Sequence, residues 1–100
     1  MKTKVIPTGS AEAIPAAYEI LKQHGLVVFP TDTVYGLAAR VDSTAAIDRI
    51  FKAKGRDFNK AIAVLIGDLP QIHRVAASLP FAAGLLAERF WPGALTIVVT

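Results

Sequence analysis

The sequence predicts an α/β domain, and three observations predict it. Two short apolar runs of strand length, Leu26-Val27-Val28-Phe29 and Ala61-Ile62-Ala63-Val64-Leu65-Ile66, are set off by turn-forming or polar residues. Stretches with apolar residues at helical spacing precede, separate and follow them. Gly25, Pro30, Gly55, Gly67, Pro80 and Gly93 stand where one pattern gives way to the next. Strand and helix signals that alternate along a chain belong to a sheet flanked by helices.

The elements follow in order. Ser10 is a helix N-cap candidate, and Ile14, Ala17, Tyr18 and Leu21 then repeat on one helical face, which predicts a helix from about Ala11 to Gln23 closed by Gly25. Pro15 places the start within a turn of Ser10 or bends the helix there. The run 26–29, apolar at every position, reads as a central strand covered on both faces. Residues 37–41 are a further extended segment. Asp42 and Ser43 cap a helix that turns Ala46, Ile47, Ile50 and Phe51 inward and ends at Gly55. Residues 61–66 read as a second buried strand, followed by a short helix capped by Asp68 and running to about Ala76. Pro80 suits the first turn of a last helix with Phe81, Leu85 and Phe90 inward, and Trp91-Pro92-Gly93 ends it. The β-branched run at 95–99 needs neighbours that the remaining residues do not supply, so residues 1–100 are expected to form one domain that is incomplete at its C-terminus.

Composition narrows the function classes. With 53% hydrophobic and 19% charged residues in 100, the chain is of the globular type. The absence of cysteine excludes a disulfide framework, a thiol nucleophile and a cysteine-built zinc site, and a cytoplasmic location is expected. No apolar run reaches signal-peptide or transmembrane length, so no membrane partner is expected. His24 and His73 lack partners at ligand spacing and read as surface or capping histidines, not as metal ligands.

The net charge is +3, and five of the eleven cations, Arg49, Lys52, Lys54, Arg56 and Lys60, fall in one stretch. Such a cluster suits the phosphates of a nucleotide or a nucleic-acid backbone. For Arg49 and Lys52 a solvated helix face is an equal reading.

The candidate site joins that stretch to the segment Phe29-Pro30-Thr31-Asp32-Thr33-Val34-Tyr35-Gly36-Leu37. A strand that stops at proline and passes into Thr31, Asp32 and Thr33 puts hydroxyls and loop amides at its carboxyl end, where open α/β sheets bind ligands. Thr31 and Thr33 suit hydrogen bonds to an amino acid or a phosphate. The same residue types also bond their own turn, Asp32 as a loop cap, and Tyr35 fits equally as core. Lys54 and Arg56 flank Gly55 at a helix end and can converge on one anion, although Lys54 alone also complements the helix dipole. Neither a Walker loop nor a dinucleotide fingerprint occurs, and no nucleophile–base arrangement stands out.

Three segments in order, Phe29 to Leu37, Ile50-Phe51-Lys52-Ala53-Lys54-Gly55-Arg56 and Phe90-Trp91-Pro92-Gly93-Ala94-Leu95-Thr96, resemble the YrdC-like family of L-threonylcarbamoyladenylate synthases. The resemblance runs from Gly25 onward and covers the N-terminal half of the family's catalytic domain. It implies a large twisted, mixed sheet flanked by helices, with a basic concave face. The implied reaction condenses L-threonine, bicarbonate or CO2 and ATP to threonylcarbamoyl-AMP and pyrophosphate. Other transfer proteins then use that product to make N6-threonylcarbamoyladenosine in tRNA. Mg2+ bound through the phosphates is expected. Some members bind double-stranded RNA, which leaves a non-catalytic RNA or tRNA module as an alternative. A carbamoyl-adenylate-forming domain is another.

By resemblance, Thr33 matches the loop threonine that contacts substrate L-threonine, with Thr31 beside it. Arg56 matches a nucleotide-phosphate ligand and Lys54 belongs to the same Lys-x-Arg motif, the two serving as the catalytic cations. Lys60 falls where members place a residue near ATP, and Leu65 stands where some members have a histidine that holds threonine. Members commonly carry prolines where this chain has Asp57 and Ala61. The family's Ser-x-Asn motif and its later arginine and threonine are not among these residues, so the hundred residues alone are expected to be weakly active or inactive.

Overall fold

The computed structural model describes residues 2–55, 57 and 60–100. Among them the chain forms α1 (Ala13–Lys22), β1 (Val27–Phe29), β2 (Gly36–Ala38), α2 (Thr44–Lys54), a 3-10 turn (Leu69–Gln71) leading into α3 (Ile72–Val75), and α4 (Phe81–Phe90). They fall into two compact units, Met1–Lys60 and Ala61–Thr100. No helix among the described residues is long and apolar enough to cross a membrane.

In the first unit, Ser10 acts just ahead of the helix it was expected to cap. Its hydroxyl accepts from the Glu12 amide at 3.3 Å and its carbonyl from the Ala13 amide at 3.2 Å, so α1 starts two residues late with Glu12 at the N-cap. Pro15 then lies in the first turn, where a missing N–H leaves no intrahelical bond unmade. The predicted inward face is only partly turned in: Ala17 and Leu21 are half-buried, but Ile14 is 81% exposed and Tyr18 62%. The helix packs against β1, and Ala13, Ala16 and Ala17 are the small residues on its half-buried side.

The end of α1 departs from expectation in an instructive way. The residue with left-handed backbone is His24, at φ 65°, not Gly25. The Gly25 amide donates to the Ile20 carbonyl at 2.8 Å and the His24 amide to the Leu21 carbonyl at 3.0 Å, which is the paired closure of a Schellman motif. Gly25 is required for space: a Cβ there would lie 2.7 Å from Ile20 Cγ2 and 3.0 Å from the Ile20 carbonyl oxygen.

Strands β1 and β2 pair antiparallel, with Val27 opposite Ala38, Val28 opposite Leu37 and Phe29 opposite Gly36. The expectation of a central strand covered on both faces fails here, because β1 has one strand neighbour among the described residues and Val28 is 64% exposed. Helix α2 matches its prediction closely. The Ser43 hydroxyl accepts from the Ala46 amide at 3.2 Å, Ala46, Ile50 and Phe51 are buried, and Gly55 closes the helix at φ 62°.

In the second unit the Asp68 carboxylate accepts from the Gln71 amide at 3.3 Å, and α3 ends at Val75, as the cap and length predict. Helix α4 follows Pro80, which serves as its N-cap. Its inward face is Ala83 and Ala87; Phe81 is 82% exposed, and Leu85 and Phe90 are half-exposed. Apolar residues surround this helix, so periodicity did not single out the packed side. Residues 61–66 and 95–99 form no strand, since a β-rich run becomes one only when a ladder partner satisfies its backbone. Leu95, Ile97 and Val99 are nonetheless half-buried while Thr96 and Val98 are exposed, the alternation of an extended segment. The Thr100 carbonyl accepts from the Ala77 and Ser78 amides at 3.0 and 3.4 Å.

The two helix ends make opposite predictions. His24→Gly relieves a left-handed conformation that costs a non-glycine residue roughly 1 kcal/mol, and should raise the urea unfolding midpoint. Gly55→Ala imposes the same conformation on alanine and should lower the midpoint, with a loss of about 1 kcal/mol in stability.

Candidate functional site

Because β1 and β2 are antiparallel neighbours, residues 30–35 are a hairpin loop, not the strand-to-helix turn of a parallel sheet. The base of the loop is set by one pair. Phe29 faces Gly36 across the ladder, and a Cβ on Gly36 would lie 2.8 Å from Phe29 Cζ, so the ring covers the glycine. Pro30 removes a donor where the ladder stops and fixes φ for the turn.

Within the loop the two threonines have different duties. The Thr31 hydroxyl donates to the Val34 carbonyl and accepts from the Thr33 amide, the latter at 3.2 Å. Its only proton is therefore used by its own turn. The Thr33 hydroxyl makes no hydrogen bond among the described residues and is exposed. Asp32 does not cap the loop; Thr31 does. Tyr35 is not core, since 75% of it is exposed, and Val34 beside it is exposed to the same degree.

The cations are placed less tightly. Lys54 is exposed in the last turn of α2, next to the carbonyls that carry the negative end of the helix dipole. Arg56 lies outside the described residues. Lys60 is exposed, and its amide donates to the Asp57 carbonyl at 3.0 Å. Among the described residues no hydrogen bond or ion pair joins Lys54 or Lys60 to the loop. Leu65 belongs to the second unit and is 76% exposed. The described residues contain no group of three or more His, Cys, Asp or Glu that could hold a metal ion.

Two arginines carry a role that the sequence did not disclose. Arg40 grips Asp42 as a fork, Nε to Oδ1 at 2.5 Å and Nη2 to Oδ2 at 2.8 Å, while its Nη1 donates to the Lys22 carbonyl at 3.4 Å. Arg49, from α2, donates to the His24 carbonyl. Carbonyls at the end of α1 lack intrahelical donors, so both guanidinium groups meet a real need there. The Arg40-x-Asp42 spacing after a strand was the available signal. Arg49 looked like a phosphate ligand or a solvated cation because its acceptor is 25 residues away.

The fork also sets the charge state. The hydrogen bond from Arg40 holds the Asp42 carboxyl below its usual range, and the same bond holds the Arg40 guanidinium above its own. A carboxyl depressed in this way adds stability that is present above its unfolded pKa and is lost as pH falls through the folded one. The pair is solvent-exposed, so the contribution is small.

Comparison with known proteins is consistent with the motif order. The Sua5/YciO/YrdC family model, described as telomere recombination, matches residues 19–100. A threonylcarbamoyl-AMP synthase of Bacillus subtilis is 41% identical over 86 residues, which are 86% of this chain and 25% of that protein. One from Pyrococcus abyssi is 42% identical over the same shares, and one from Homo sapiens 35% identical over 91% of this chain and 32% of its own length. The chain therefore spans about a quarter to a third of these relatives. The crystal structure of P. abyssi Sua5 complexed with L-threonine superposes with a TM-score of 0.77 at 41% identity, covering 80% of this chain and 24% of that one.

Arg49→Ala should lower stability by about 1 kcal/mol, the scale of a charge-assisted bond discounted for exposure, and speed hydrogen exchange at the end of α1. Urea midpoints of the wild-type chain and Asp42→Asn should differ most at neutral pH. The gap should close as the solution is taken below the ordinary carboxylate range.

Proposed function

Because the chain belongs to the Sua5/YciO/YrdC family, we propose that it carries the threonine-binding loop and one phosphate-binding wall of a threonylcarbamoyl-AMP synthase. The observation that carries this reading is the hairpin loop 30–35, which is ordered by its own hydrogen bonds and leaves the Thr33 hydroxyl free at the surface. An amino-acid carboxylate needs donors, and Thr33 offers one. Relatives bearing the synthase name in bacteria, archaea and mammals, one of them solved with L-threonine, support the substrate.

The chemistry asks little covalent work of the protein. The threonine amine adds to CO2 and loses a proton, giving a carbamate. A carbamate oxygen then attacks the α-phosphorus of ATP, and the bond to pyrophosphate breaks. Lys54 and Arg56 serve as the cations that neutralise the charge gathered around the phosphates, with Lys60 adding to the same field near ATP. Mg2+ carried on the nucleotide's phosphates would offset part of their charge. The product passes to other proteins that modify tRNA, in keeping with a cytoplasmic site of action.

Direct binding of tRNA or double-stranded RNA by the basic stretch is the weaker reading. Arg49, one of its five cations, is already bonded to the His24 carbonyl.

The test is pyrophosphate release from ATP that depends on both L-threonine and bicarbonate, measured in the full-length protein containing this chain. Arg56→Ala should reduce kcat/KM at least tenfold, as expected for a lost charged contact to phosphate. Thr33→Val should raise KM for L-threonine more than KM for ATP. Release that is indifferent to threonine would overturn the reading, and equal rates for Arg56→Ala would remove Arg56 from the site.

A further inference from the structure

Resting on that reading of the loop, we propose that Thr31 is a positioning residue for L-threonine recognition: its hydroxyl closes the turn and orients Thr33, and does not itself donate to substrate. Two bonds carry this. The Thr31 hydroxyl gives its only proton to the Val34 carbonyl, and the same oxygen accepts the Thr33 amide at 3.2 Å. One side chain thus ties both flanks of Thr33, the amide in front of it and the carbonyl behind.

The consequence is a division of labour between chemically identical residues two positions apart. A substrate carboxylate can accept from Thr33, whose hydroxyl is unengaged, but can take the Thr31 proton only by opening the turn. Phe29 over Gly36 fixes the base of the hairpin, yet residues 30–35 are all exposed and no packing holds the tip. Thr31 therefore supplies the order at the tip. Preorganising a donor before binding lowers the ordering cost that binding otherwise bears. Because the bonds need a hydroxyl and not the methyl group, serine can replace Thr31 and valine cannot.

The experiment is calorimetric titration of L-threonine into wild-type protein and the variants Thr31→Val, Thr31→Ser, Thr33→Val and Thr31→Val/Thr33→Val, with amide hydrogen exchange recorded on each. Thr31→Val should weaken binding roughly tenfold, the combined effect of two modest hydrogen bonds. Thr31→Ser should bind within about twofold of wild type. The double variant should bind no more weakly than Thr33→Val alone, because Thr31 acts through Thr33. Exchange at the Thr33 amide should quicken in Thr31→Val and not in Thr31→Ser, while the β1 amides stay protected as a check on the fold. Wild-type affinity in Thr31→Val, or losses that multiply in the double variant, would overturn the proposal. Absence of threonine binding by the wild-type protein would instead overturn the substrate, and an unchanged Thr33 exchange rate would overturn the positioning role whatever the ligand.

Discussion

The carboxyl end of α1 is the constraint on which the first unit depends. Carbonyls at and just past that end are answered from three directions: by the amides of His24 and Gly25, by Arg40 following β2, and by Arg49 from α2. Here the helix, the end of the hairpin and the second helix are tied together through hydrogen bonds. The tie lies at the start of β1, so it sets where that strand begins and the direction in which it leaves. The loop at the other end inherits its aim. A left-handed backbone at His24 is the local cost of this corner, and Gly25 is there because Ile20 leaves no room for a side chain.

From that corner outward, order passes from backbone to side chain. The ladder of β1 and β2 extends only to Phe29 and Gly36, where the ring lies over the glycine. Past it, Pro30 withholds a donor and the Thr31 hydroxyl takes over the bonding that the ladder no longer supplies. The result is a short surface loop tied by the Thr31 side chain, in which the side chains of Asp32, Thr33 and Tyr35 make no hydrogen bond among the described residues. This is the arrangement a binding loop needs, since a donor already spent on the protein is unavailable to a ligand. The basic stretch follows the same logic in reverse: Arg49 is spent on the fold, whereas Lys52, Lys54 and Lys60 stay exposed.

What could be read in the sequence, and what could not, follows from the range of the forces involved. Helix α2 was legible because its cap, its buried face and its closing glycine are all local: Ser43 reaches three residues, and Ala46, Ile50 and Phe51 repeat at helical spacing. Asp68 was legible for the same reason. The duty of Arg49 was not, because its acceptor is remote in the chain, and a cation near a glycine invites a phosphate reading. The strands at 61–66 and 95–99 were over-read, since β-branched composition reports what a sheet would tolerate and not whether a partner strand is present. In α4 the large residues looked like the core, but alanines are packed. In the site, the motif order identified the family, while the difference between Thr31 and Thr33 required the hydrogen bonds themselves.

The proposed role of residues 30–36 as a preordered L-threonine site is tested most directly by the amide chemical-shift map of the protein on titration with L-threonine. Saturable shifts centred on Thr33 and its neighbours from Thr31 to Gly36, absent with D-threonine, are the expected result. Shifts of equal size with both enantiomers, or shifts centred away from this loop, would contradict it.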